Sequence, residues 1–162
     1  MLACLACGAP ASAQPLAAAG DGTLRALFAD EWASRMRDDP LYATQSGVRA
    51  YDDRLPAVTP TDFKRQNEQD HDYARRLAEI DRAVLAPANR VSYDIFEFEI
   101  RSRLALNPYE RWRIPLTTDE GFHIEVTRMA KGVAMTSVRD YENYIARLRE
   151  IPAYFAQQRT TC

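Results

Sequence analysis

Between residues 23 and 158, apolar positions return at steps of three and four, which is the spacing of one face of an α-helix. Leu24, Leu27, Phe28, Trp32 and Met36 predict a first helix over 23–37. Asp38-Asp39-Pro40 ends it, because the residue before a proline is pushed out of the α region. The connector over 41–56 reads as a short helix closed at Gly47, followed by a loop. Thr59 then stands ready to cap a second helix, with Pro60 at its first position and Asp62 near the positive end of its dipole. Phe63, Tyr73, Leu77, Ile80 and Val84 carry that helix to residue 85.

A third helix is predicted over 87–106, stopping before Asn107-Pro108. It has two apolar faces, Val91, Ile95 and Phe98 on one and Phe96, Ile100 and Leu104 on the other, so it is expected to sit between two neighbours. In the next stretch Trp112, Ile114 and Leu116 alternate with polar residues around Pro115, which predicts an extended segment near 109–118. A short helix follows over 119–131, ending at Gly132. The last begins at Ser137, with Asp140 completing its cap, and bears Val138, Tyr141, Ile145, Leu148 and Phe155; Pro152 is expected to kink it. The fold class expected is all-α, an irregular bundle of about five helices with one short extended segment.

Composition removes several functions. The 21 basic and 23 acidic residues are interspersed, so no basic stripe exists to gather phosphates and no nucleic-acid partner is expected. No segment approaches the roughly 20 consecutive apolar residues of a membrane span. Residues 1–13 read as a shortened secretion signal: a small apolar run leads to Ala11-Ser12-Ala13, the A-x-A form of a cleavage site, although no Lys or Arg precedes it. Export to the periplasm or beyond is the expectation, with 14–22 a flexible segment and 23–162 the helical domain. Cys4 and Cys7 lie inside this leader without a second ligand pair, and Cys162 alone makes no internal disulfide.

Candidate chemistry is sparse. A ferritin-like di-iron bundle needs two Glu-x-x-His pairs and one further glutamate from each of two helices. The chain holds Glu68 with His71 and Glu120 with His123, plus Glu31 and Glu97 or Glu99. Helix phase opposes that assembly: with Leu77 facing the core, Glu68 projects roughly 180° away and His71 roughly 120° away. There is no G-x-S-x-G for a serine nucleophile and no phosphate-binding glycine loop. Adjacent pairs such as Asp38-Asp39 and Asp52-Asp53 read as helix-stop and turn residues. His123, between Phe122 and Ile124 at a loop-helix junction, is the histidine best placed for a cleft.

Whole phrases carry a further signal: Phe28-Ala-Asp-Glu-Trp32, Asp39-Pro-Leu-Tyr-Ala-Thr44, Tyr51-Asp-Asp-Arg-Leu-Pro56, Arg90-Val-Ser-Tyr-Asp-Ile-Phe96, the segment 115–123, and Tyr141-Glu-Asn-Tyr-Ile-Ala-Arg-Leu148. In this order, over 24–158, they resemble the N-terminal part of the bacterial domain of unknown function 885 family (DUF885). The resemblance implies a mostly helical, often exported protein similar to zinc metallopeptidases of the gluzincin kind. Their His-Glu-x-x-type zinc motif lies downstream of the matched region. This sequence contains no His-Glu pair, so no catalytic or metal-binding residue carries over and no cofactor is assigned to the chain, zinc being implied for full-length relatives. What remains is an N-terminal helical wall of a peptidase-like cleft, truncated at its C-terminus, with Gly121, Phe122 and His123 expected to line a channel for a peptide-like substrate. Its partner would be the missing C-terminal portion, and stripes such as Tyr141, Ile145 and Leu148 would be left exposed. The alternatives are the ferritin-like di-iron protein and a non-catalytic helical interaction module.

Overall fold

The computed structural model describes residues 13–117 and 121–161. These residues form six α-helices: α1 (Ala13–Asp38), α2 (Pro40–Gln45), α3 (Pro60–Ala78), α4 (Pro87–Leu106), α5 (Phe122–Arg128) and α6 (Val138–Thr161). Short 3-10 turns join them, and the described residues contain no strand beyond a single antiparallel bridge between Leu116 and Gly121. The all-α expectation holds. None of the described helices is long and apolar enough to cross a membrane.

α1, α3 and α4 pack around one apolar core of Leu24, Leu27, Tyr73, Leu77, Ile80, Leu85, Tyr93, Phe96 and Ile100. Each fully buried Leu or Ile there contributes roughly 1.5–3 kcal/mol. The three run up, down and up. At one end Asp21 on α1 accepts the N–H of Ala86, just before α4; at the other, Glu31 on α1 meets Arg103 near the end of α4. Gly20 permits the close approach at the first end, since a Cβ there would stand 3.3 Å from both Val84 and Leu85. A second cluster of Leu41, Leu55, Val58, Met129 and Tyr154 joins α2, the connector and α6, with Phe63, Phe122 and Phe155 against it.

Local chemistry explains most boundaries. The Thr59 hydroxyl accepts the Asp62 N–H while the Asp62 carboxylate accepts the Thr59 N–H, a capping box that starts α3 at Pro60. Ser137 and Asp140 do the same for α6. Asp39 caps α2, whose end is followed by Gly47 at φ 81°.

Five expectations are corrected. α1 starts at Ala13, ten residues before the start at 23 expected of the first helix, and runs through Gly20 and Gly22. α3 ends at Ala78, because Asp81 accepts the Ala83 N–H and turns the chain into a 3-10 turn, from which Leu85 still reaches the core. α4 is covered on one face only: Tyr93, Phe96 and Ile100 are buried, whereas Val91, Ile95 and Phe98 are exposed, Phe98 by 73 %. Residues 107–109 and 111–113 form 3-10 turns in place of an extended segment, with Glu110 in the left-handed region between them. The short helix expected over 119–131 is α5 followed by a 3-10 turn, Met129–Gly132.

α6 departs furthest from its pattern. Val138, Tyr141, Ile145 and Leu148 face solvent, as expected for a stripe without a partner, while Asp140, Arg147, Tyr154, Gln158 and Thr161 are buried. Pro152 lies inside the helix, which runs on past it to Thr161.

Candidate functional site

Three helices each bring one charged residue onto their core-facing seam at the same end of the bundle. Glu31 stands seven residues after Leu24, Asp70 seven before Leu77, and Arg103 seven after Phe96, all two helical turns along the stripe that fills the core. Because α3 runs against α1 and α4, these offsets bring the three side chains to one level. Arg103 Nη1 donates to Glu31 Oε1 at 3.0 Å and lies 3.5 Å from Asp70 Oδ1. Arg35 Nη2 donates to the same Glu31 oxygen at 2.7 Å and lies 3.6 Å from Glu99. Burial pushes the Asp70 carboxyl above its usual range against the opposing pull of Arg103.

This charged layer forms part of the wall of a cleft of about 530 Å³. In the same wall Phe63 stacks on Trp112 with centroids 5.1 Å apart and planes 10° from parallel. Val58, Ile114, Phe122 and Tyr154 extend the apolar side. Arg103 is not fully used: its Nε and Nη2 are buried and have no hydrogen-bond partner. Arg111, exposed on the 3-10 turn Arg111–Arg113, also lines the cleft.

A second polar feature holds α6 to the connector. Arg147 is completely buried. Its Nε donates to the Arg54 carbonyl at 3.0 Å and its Nη2 to the Tyr51 carbonyl at 2.8 Å and the Thr44 hydroxyl at 2.9 Å. Thr44 in turn donates to Asp52, which accepts from Arg49, and Arg49 also reaches Asp140 at the start of α6. Burial alone would raise the Asp140 carboxyl, but hydrogen bonds from Thr136 and Ser137 outweigh it and hold the group at about 2.

Gly121 and Phe122 line the cleft; His123 is exposed, touches Phe122 edge-on and lies outside the lining. Gly121 is required where it stands, because a Cβ would come within 3.0 Å of the Pro115 carbonyl oxygen. The di-iron candidates do not converge. Glu68 and His71 are exposed on α3, Glu97 pairs with Arg101, and Glu31 is taken by two arginines; Glu120 lies outside the described residues. So do Cys4, Cys7, Cys162 and the leader up to residue 12. Among the described residues no three His, Cys, Asp or Glu side chains gather closely enough to hold a metal ion. This donor set does not fit a catalytic zinc. The cleft offers recognition groups, with no histidine among its lining residues.

Sequence reasoning missed Arg103 as a half-buried seam residue and Arg147 as a buried one. The signal was present, since each continues a buried stripe by a further turn or two: Phe96, Ile100, Arg103 on α4, and Asp140, Arg147, Tyr154 on α6. Reading those stripes by hydrophobicity alone stops short of the charge that extends them.

No curated protein and no solved structure matches the chain. The family described as bacterial protein of unknown function (DUF885) matches residues 40–162, which spans α2 to α6, including the Arg147 network and the α3, α4 and α5 walls of the cleft. The chain belongs to that family.

Proposed function

We propose that this chain forms a non-catalytic, substrate-facing helical wall of an exported protein of zinc-metallopeptidase kind. Its cleft holds an extended peptide, and its bare apolar faces pack against other helical parts of the same machinery. The observation that carries this reading is the cleft itself: about 530 Å³, lined by a charged layer from α1, α3 and α4 together with the aromatic groups of Phe63, Trp112 and Tyr154. Such a mixture of apolar wall and few convergent polar groups is what small-ligand and peptide sites share. The exposed Val91, Ile95 and Phe98 of α4 and Val138, Tyr141 and Ile145 of α6 support the second half, since contiguous bare apolar faces mark contact surfaces. Zinc belongs in this reading to residues other than those described here, and no chemical step is assigned to it.

The test is a peptide titration of the purified chain followed by tryptophan fluorescence, because Trp112 is in the cleft wall. In parallel, a fluorogenic peptide is incubated with the chain, with and without added zinc. Saturable binding without hydrolysis is expected. Zinc-dependent hydrolysis by this chain, or no fluorescence response to any peptide, overturns the proposal.

A further inference from the structure

Arg103 uses one corner of its guanidinium and leaves the rest idle. Nη1 serves Glu31 at 3.0 Å and faces Asp70 at 3.5 Å, while Nε and Nη2, the pair that forms the side-on fork of an arginine, have no acceptor and are shielded from water. Buried donors without partners are rare in folded proteins, because the hydration they give up is not replaced. A side-on fork is also the geometry that accepts a carboxylate through two parallel hydrogen bonds. Arg103 lines the cleft, as do the exposed Arg111 and the stacked Phe63 and Trp112 rings.

We infer that the cleft is a carboxylate-recognition site in which Arg103 turns the covered Nε and Nη2 edge of its guanidinium toward the carboxylate and the Phe63–Trp112 pair packs the apolar group attached to it. Two sources share that chemistry, the C-terminal carboxylate of a peptide and a small arylalkanoic acid. The inference rests on the peptide reading only for the first.

Other carboxylates line the cleft, so the charge balance must allow a further anion. Glu31 is shared by Arg35 and Arg103, and Asp38 is held by Arg65 at 3.1 Å. Asp39 accepts the Tyr42 N–H as the cap of α2, and Glu125 lies on α5. Asp70, raised by burial, is the carboxyl most readily neutralised beside the proposed anion.

The experiment compares four ligands by calorimetry: 3-phenylpropanoate, its amide, and an acetylated Ala-Ala-Phe tripeptide as free acid and as C-terminal amide. Each acid is expected to bind at least about ten-fold more tightly than its amide, the order of difference a charge-assisted bidentate pair makes. Arg103→Lys keeps a cation for Glu31 but removes the fork, and is expected to erase most of that preference. If the variant does not fold, the Nε–H resonance of Arg103 in the unsubstituted protein gives the same answer, since 3-phenylpropanoate must shift it and the amide must not. Equal binding of acid and amide, or an unmoved resonance, sinks the inference while leaving a peptide cleft intact. Binding of 3-phenylpropanoate without either tripeptide supports the inference and overturns the peptide reading. No binding by any of the four overturns both.

Discussion

The seam between α1, α3 and α4 is apolar for most of its length and turns charged only at its last layer, whereas α6 meets the connector through a buried guanidinium flanked by carbonyls, a hydroxyl and a carboxylate. The difference follows from what each helix has to bind. α3 and α4 face helices whose backbone polar groups are already paired internally, so side-chain packing is enough. α6 faces 41–58, a segment of one short helix, one 3-10 turn and irregular chain, where the Tyr51 carbonyl takes only a long 3.3 Å bond from the Arg54 N–H and the Arg54 carbonyl lies outside any helix, and a buried carbonyl needs a donor. Arg147 supplies several at once. The lesson is that an irregular connector can be made part of a core if the helix that covers it gives up apolar side chains for a multivalent donor.

The largest expected effect tests that contrast directly. Arg147→Ala takes the donor from the Arg54 carbonyl, one of two donors from the Tyr51 carbonyl and a buried cation from beside Asp52, so it is expected to cost about 3–5 kcal/mol, with α6 released from the connector. Ile100→Ala in the apolar seam is expected to cost a comparable or smaller amount, about 2–5 kcal/mol. Denaturant unfolding followed by circular dichroism measures both. An Arg147→Ala loss under about 1 kcal/mol, within the range of an ordinary hydrogen bond, would mean the polar region is not held as described.

Acid separates the two regions next. The folded protein holds the Asp140 carboxyl at about 2 against an ordinary 3.8, so its ionised form favours folding. That contribution is complete above about 4 and disappears as the pH falls through about 2. Asp140→Asn should therefore flatten the loss of stability between those values. Asp21 and Asp94, also lowered, remain in both proteins and cancel in the comparison. Identical acid profiles for the two proteins would remove Asp140 from the account.

The smallest effect concerns the uncovered face of α4. Phe98→Glu replaces a side chain that is 73 % exposed, so folding free energy should stay within about 0.5 kcal/mol while self-association falls. Size-exclusion chromatography across a concentration series reads the second quantity. A large loss of stability would show that this face is packed in solution.

The sequence by itself determined most of the helical segments and where most of them begin, because those outcomes depend on contacts within a few residues. The Thr59–Asp62 and Ser137–Asp140 caps, the stop before Pro40 and the Pro87 start of α4 were all legible for that reason. What the sequence left open was which face of each helix is covered. α4 and α6 offer more than one stripe, and only the packed structure decides that Phe96 goes in while Phe98 stays out, or that Arg147 is buried while Tyr141 is bare. The charged layer was hidden for a related reason: Glu31, Asp70 and Arg103 are far apart along the chain, and their meeting depends on three helices running in alternate directions with their seams in register. Local propensity carries no information about that register. Long-range packing sets it.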